Sequence, residues 1–377
     1  MPLLFNLRLP EGARAWSAWC LLASSVPAWA APDAPDPARW AECAAIGPAA
    51  DRLSCYDKLA GRAPSAPVPA SSAEAQATVP APTSLLAPKD TPLAAASPQQ
   101  RRTDPSLLST YWELESQDKR GTFNLTGYRP NYALPVHLTS RINRAPQSPT
   151  QAVVPTPAYR DVEAKFQLSF RTKAVQDIGF DNADLWFAFT QQTMWQVWNG
   201  EDSKPFRNTD YEPELMYVVP VPSSFQALPQ GWKWRYAQFG LAHQSNGQSD
   251  PLSRSWNRVY LGSGFERGDW TLSARVARRL SENPSTDNNP DLVSYRGRGE
   301  LQATWSPGVS TASVLYRSTL RDTQFGALQL EWTYPVFQNQ PNGVRYFLQL
   351  YHGYGETLTD YNFRQTSLGL GLSFLQF

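Results

Sequence analysis

Several stretches of this chain alternate apolar and polar residues with a strict period of two. Val162, Ala164, Phe166, Leu168 and Phe170 alternate with Glu163, Lys165, Gln167, Ser169 and Arg171. Leu328, Leu330, Trp332, Tyr334 and Val336 alternate with Gln329, Glu331 and Thr333, and Tyr295, Leu301, Ala303 and Trp305 share a parity against Arg296, Arg298, Glu300 and Gln302. That period belongs to β-strands whose two faces meet different surroundings. A half-buried soluble sheet gives the same pattern. Two features favour another solution. The polar row carries charges of both signs, and strands of about ten residues recur to the end of the chain. A narrow membrane barrel needs both, with apolar residues outside and mutually paired polar residues inside.

Twelve strands are predicted: 131–139, 162–174, 184–197, 211–221, 234–245, 256–267, 270–280, 294–305, 311–319, 325–336, 344–353 and 366–377. An even number closes an antiparallel barrel with both chain ends on one side. The connections 140–161, 198–210, 246–255, 281–293 and 354–365 are long and belong outside. Turns such as 268–269 and 306–310 are short and belong in the periplasm, although 222–233 is long for such a turn. The terminal aromatic Phe377 falls on the opposite parity to Leu368, Leu370, Leu372 and Phe374, so either a bulge intervenes or the last residues leave the sheet. The expected fold class is all-β: a 12-stranded antiparallel transmembrane β-barrel over 106–377, preceded by a small helical segment and a disordered linker.

Arg8 and Arg14 lead into a mostly apolar run ending at Ala28-Trp29-Ala30, which reads as a signal peptide over 1–30. Lipidation at Cys20 is the weaker reading, because Trp19 precedes it where a small residue is needed. Residues 31–62 carry two short helical patterns, and 63–105 is a Pro-, Ala- and Ser-rich linker. Both would lie in the periplasm. An oxidising compartment favours a Cys43–Cys55 disulfide, with two buried thiols as the alternative. No nearby His completes a metal site there.

No mature segment holds eighteen consecutive apolar residues, so no transmembrane helix is expected. With 34 Lys plus Arg against 33 Asp plus Glu, net charge gives no sign of a nucleic-acid partner. The 14 Trp suit two membrane interfaces and equally a sugar-binding surface.

On strand 234–245, His243 and Ser245 fall on the apolar row with Ala237, Phe239 and Leu241. On strand 256–267, Asn257 shares the row of Val259, Leu261 and Phe265, while Arg258, Tyr260 and Glu266 point inside. Loop 246–255 joins these strands, so three polar side chains lie near one end of a lipid-facing surface, where polar groups are costly unless paired. Residues i and i+2 on a strand are roughly 6.5–7 Å apart, so side chains that lean together bring a serine hydroxyl to an imidazole that can take its proton. An amide oxygen then fixes the imidazole tautomer without burying an anion. His-x-Ser alone is a common spacing, and its bland reading is a pair of interface residues bonded to loop backbone. His137 and His352 lack a comparable setting and read as structural.

The run His243-Gln244-Ser245-Asn246-Gly247, Ser249-Asp250-Pro251 and Ser253-Arg254-Ser255-Trp256-Asn257-Arg258 closely resembles the signature of the outer-membrane phospholipase A family. Asn131-Tyr132 with Leu134-Pro135, Pro205-Phe206-Arg207 with Tyr211-Glu212-Pro213, and Gly353-Tyr354-Gly355-Glu356 with Asp360-Tyr361-Asn362 follow the same order. The resemblance covers about 106–377. It implies a hydrolase of phospholipid and lysophospholipid acyl esters with His243, Ser245 and Asn257 as its catalytic set and the Gly247 amide as an oxyanion donor. It also implies a calcium-dependent homodimer. Calcium ligands map onto the Ser253 side chain and the Gln248 carbonyl of one protomer and Ser203 of the other. The family more often has Arg at the position of Gln248. Gln191, a lone amide on an apolar row, maps to the dimer interface. A non-enzymatic pore or anchor is the alternative, against which the self-paired charges of the inner rows argue.

Overall fold

The computed structural model describes residues 37–59, 106–202 and 205–374; the expected signal peptide over 1–30, the expected linker over 63–105, Ser203 and Phe377 lie outside the described residues. The chain divides into two units, Met1–Leu93 and Ala94–Phe377.

In the first unit, α1 (Pro37–Ala44) and α2 (Ala49–Leu59) form a helical pair. The expected disulfide joins Cys43 to Cys55, with Cα atoms 5.6 Å apart, and Trp40 stacks on Tyr56 at 5.5 Å between ring centroids. A pair this small has almost no apolar core to hold it, so the covalent staple supplies what burial cannot.

The second unit is a closed antiparallel barrel of twelve long strands. They are β1 (Asn131–Thr139), β2 (Val162–Val175), β3 (Asp184–Trp195), β4 (Phe206–Pro220), β5 (Lys233–Ser245) and β6 (Ser255–Arg267). After them come β7 (Trp270–Arg279), β8 (Gly299–Trp305), β9 (Thr311–Ser318), β10 (Ala327–Pro335), β11 (Arg345–Tyr354) and β12 (Arg364–Phe374). Each pairs with its chain neighbour, and β12 closes the ring on β1. A two-residue strand, Thr126–Gly127, adds to β2 where β1 leaves it. The β12–β1 register shifts between Leu370 and Leu372, and β12 is described as far as Phe374.

Two predicted strands are corrected. The fourth begins at Phe206 rather than 211, because β3 and β4 stay paired out to Trp195 opposite Phe206. The eighth begins at Gly299 rather than 294. Residues Leu292–Arg296 instead form one helical turn, ended by Gly297 at φ 94°, where an added Cβ would strike the Ser318 backbone. Tyr295 therefore does not share a strand face with Leu301. It packs edge-on to Tyr361 and Phe325. Leu292 is buried with Trp256, Leu358 and Tyr361, and burying that apolar group in the loop layer outweighs five more residues of strand.

The alternation sorts as expected. Leu261, Phe239, Leu301, Leu328 and Leu370 are exposed on the outer wall, while Glu163, Lys165, Arg171, Glu212 and Glu214 are buried within. The outer apolar belt is too extensive for a water-facing surface and suits hydrocarbon. The charged inner rows pair with each other. Arg129 binds Glu212 (2.9 Å) and Glu214 (2.7 Å), Arg258 binds Glu212, and the Tyr260 hydroxyl donates to Glu214 at 2.8 Å. Such pairing is what lets charges stay buried, since an unpaired one would be strongly destabilising.

Both ends of the barrel are stopped, and the alternation does not announce the stoppers. At the end carrying the short turns, α3 (Leu107–Trp112) sits inside: the Ser106 hydroxyl donates to Glu266 at 2.8 Å, and Trp112 packs on Tyr128, Trp186 and Tyr236. At the loop end, residues 355–363 fold inward. Glu356 meets Lys165 and His137 at 2.9 Å each, and Asp360 meets Arg207 at 2.8 Å. His137 is thus a buried structural histidine. His352 bonds Thr366 at 2.7 Å on the outer wall, also away from the site described next.

Candidate active site

The β5–β6 register sets His243 directly opposite Asn257 and Ser245 opposite Ser255. These residues lie on the outer face at the loop end, in line with Leu241 and Val259. His243 Nδ1 and Asn257 Oδ1 are 2.9 Å apart. Cross-strand partners on one face are the closest side-chain neighbours a sheet offers, so the pair follows from register alone. Ser245 stands two residues along the same face and is half-buried. Among the described residues its hydroxyl makes no hydrogen bond, to the imidazole or elsewhere, so it is free to engage a third group. The three residues expected from sequence therefore share one face, with His243 and Asn257 in direct contact.

The loop that follows is built by Asn246. Its Oδ1 accepts from the Gln248 (3.3 Å) and Arg254 (2.9 Å) backbone amides, and its Nδ2 donates to the Leu252 carbonyl (2.8 Å). This one buried amide replaces the ladder hydrogen bonds that end with β5. It throws Gly247 into the left-handed region at φ 62°, where a Cβ would sit 3.0 Å from the Tyr211 ring. Among the described residues the Gly247 amide donates no hydrogen bond, and the Gln248 carbonyl accepts none.

Ser253 closes the loop. Its hydroxyl accepts from Asn288 Nδ2 at 2.8 Å, and Asn288 Oδ1 accepts from the Ser255 amide at 3.1 Å. Asn288 is anchored in turn, since the Ser148 hydroxyl donates to its carbonyl at 2.7 Å, and Gln151 reaches Asp250 at 3.2 Å. Loops 140–161 and 280–298 thus brace the loop of the motif.

Gln191 is half-buried on the outer face of β3, paired with Leu168 on β2 and Tyr211 on β4; Tyr211 is in turn paired with Ser245. The row Leu168–Gln191–Tyr211–Ser245 runs straight across four strands. Among the described residues the Gln191 side-chain amide hydrogen-bonds only Thr193, at 3.4 Å.

Asn246, Asn288 and Glu282, which bonds Asn257, carry no role in the sequence reading. Asn246 lies inside the His243–Arg258 run, and its place between two strands is the sequence signal for it. Asn288 and Glu282 come from a polar loop without periodicity, and only the folded chain brings them to β6.

A family model for phospholipase A1 matches residues 108–374. The chain belongs to the phospholipase A1 family. A relative in this family, the putative phospholipase A1 of Neisseria meningitidis serogroup B, is 38% identical over 274 residues, covering 71% of this chain and 69% of that protein. Phospholipase A1 of Klebsiella pneumoniae is 36% identical over 256 residues, covering 68% and 84%. Among solved structures, outer membrane phospholipase A from Escherichia coli superimposes with a TM-score of 0.58 at 33% identity, covering 67% of this chain and 98% of that one. A Salmonella typhi outer membrane phospholipase, solved as a dimer with bound calcium, gives a TM-score of 0.58 at 32% identity, covering 68% and 94%. The phospholipase A1 match begins inside α3 and spans the barrel, so the stapled helical pair lies outside it.

Proposed function

We propose that this chain is a calcium-dependent outer-membrane phospholipase that hydrolyses acyl esters of phospholipids and lysophospholipids through Ser245, His243 and Asn257, and that it works as a homodimer. The observation that carries this reading is the His243–Asn257 contact of 2.9 Å on the lipid-facing wall, beside a serine hydroxyl with no hydrogen-bond partner among the described residues. Ser245 Oγ attacks the acyl carbonyl while His243 Nε2 takes its proton. Asn257 Oδ1 accepts from Nδ1–H, holding the ring and stabilising the imidazolium. The free Gly247 amide donates to the oxyanion. His243 then returns the proton to the departing lysolipid oxygen, and water attacking the acyl-Ser245 ester, with His243 again as base, releases the fatty acid. A site on the outer wall lets substrate arrive from the bilayer without crossing the stopped lumen.

The residues present suit calcium. The Ser253 hydroxyl accepts one hydrogen bond and keeps a lone pair, and the Gln248 carbonyl is unengaged among the described residues. Neutral oxygens such as these suit a hard cation that keeps several waters. Ser203 of a second protomer would complete the set. Calcium when bound would supply positive charge beside the oxyanion position. Gln191, level with Ser245, would lie in the dimer contact. The stapled helical pair and the linker would lie in the periplasm.

The decisive experiment is reaction of the refolded full chain with a lipophilic sulfonyl fluoride, followed by peptide mass spectrometry. One label on Ser245, lost in Ser245→Ala, is expected. An active enzyme labelled elsewhere overturns the assignment.

A further inference from the structure

Glu282, on the loop after β7, stands behind the amide that orients the histidine. Its Oε1 accepts from Asn257 Nδ2 (3.4 Å) and from the Asn257 backbone amide (3.3 Å). The Leu280 amide donates to the Asn257 carbonyl at 2.9 Å, extending the ladder just far enough to bring Glu282 alongside. The carboxylate is mostly buried, with 17% of its side chain exposed, and Arg279 holds its other oxygen at 3.4 Å. Arg279 itself is pinned to Asp287 and to the Asn289 carbonyl, at 2.8 and 2.6 Å. Glu282 is therefore set from behind and aimed at one side chain.

The donor and acceptor inventory turns this contact into a constraint. A carboxylate can only accept, so the group facing it must be the amide nitrogen of Asn257. Turning the amide over would set its oxygen against the Glu282 oxygen, two acceptors with no proton between them. With Nδ2 committed to Glu282, Oδ1 must face His243. An oxygen there can only accept, so Nδ1 is the protonated ring nitrogen and Nε2 is left as the proton acceptor. The carboxylate also polarises the amide, adding negative charge at Oδ1 where imidazolium develops. We propose that Glu282 is a positioning residue that sets the Asn257 amide and, through it, the tautomer of His243, making the catalytic set a line of four: Glu282, Asn257, His243 and Ser245.

This inference rests on the catalytic reading of His243 and Asn257, and the test separates the two. Full-length protein refolded with calcium is assayed for kcat and KM on phospholipid in mixed micelles. The variants are Asn257→Ala, Glu282→Ala, Glu282→Gln and the double Asn257→Ala/Glu282→Ala, each checked for folding by heat-modifiable migration. Glu282→Ala is expected to lower kcat about ten-fold and leave KM within about two-fold, since it touches the base and not substrate binding. Glu282→Gln keeps an oxygen acceptor without the charge and falls between wild type and Glu282→Ala. In the Asn257→Ala background the second substitution has no further effect, because the carboxylate acts only through the amide. Wild-type kcat in Glu282→Ala beside an impaired Asn257→Ala overturns the proposal and leaves the catalytic reading intact. A further loss in the double variant as large as in the single one also overturns it, because Glu282 would then act elsewhere. Wild-type activity in Asn257→Ala overturns the catalytic reading and the proposal together.

Discussion

The barrel holds two kinds of polar cluster, and they are built on opposite rules. Inside, Glu212 is met by Arg129 and Arg258, and Glu214 by Arg129, Tyr260 and Arg275. Every carboxylate there has several donors and little to spare. Outside, His243 and Asn257 share one contact, and among the described residues Ser245 and the Gly247 amide have none. The inner cluster gives each of these carboxylates more than one donor, and its work is to let a polar lumen exist in a closed ring of strands. The outer cluster keeps unspent hydrogen-bonding capacity on a surface where that is costly, which is where the proposed active site, having to engage a passing substrate, would differ from a cluster that holds a fold.

The sharpest way to break this contrast is to remove one member from each side. Ser245→Ala is expected to abolish phospholipase activity, a loss on the order of a thousand-fold or more, while the barrel refolds like wild type. Glu212→Ala should do the reverse. It strands the buried Arg258 guanidinium and takes one of two carboxylates from Arg129, destabilising the barrel by about 3–5 kcal/mol, while the fraction that folds keeps its kcat. Refolding titrations in detergent, paired with activity per folded molecule, check both. Intact catalysis in the first variant or intact stability in the second removes the distinction.

Within the outer cluster, the contribution of each member can be ranked. Asn257→Ala should leave measurable activity, and His243→Ala should leave much less, because the amide orients the proton acceptor while the imidazole is the acceptor. Turnover measured on both variants under saturating calcium decides it; equal and total losses would contradict the ranking. A smaller effect concerns assembly. Chelation should lower both activity and crosslinked dimer, since a cation that binds only the assembled form draws protomers together by mass action. Gln191→Ala should weaken dimerisation by about 1 kcal/mol, because an interface amide loses its partner where no water replaces it. Calcium titration with crosslinking measures both, and full activity in chelator from a monomer removes calcium and dimerisation from the mechanism while leaving Ser245 and His243 in place.

The comparison of inside with outside also shows how far the residues speak for themselves. Period-two alternation determined the barrel, the number of long strands and which side chains meet water or lipid, because strand geometry sends neighbours to opposite faces whatever the rest of the chain does. It likewise set His243, Ser245 and Asn257 on one face, since each lies at an even spacing from apolar residues of its own strand. Alternation alone could not decide between strand and helical turn over 292–296, where burial of Leu292 against the loop layer prevails.

What the tertiary structure alone decided lies between strands and in loops. That His243 stands opposite Asn257, and not one step away, is a matter of register, which the β5–β6 loop and its Asn246 staple set. That α3 and residues 355–363 stop the two ends depends on contacts with residues far away in sequence, such as Ser106 with Glu266 and Lys165 with Glu356. Glu282 and Asn288 reach β6 only because β7 runs beside it and hands the chain to a polar loop at the right height. A strand's faces are written in its own residues, whereas the neighbour that completes a hydrogen bond across a loop is chosen by the closure of the whole ring.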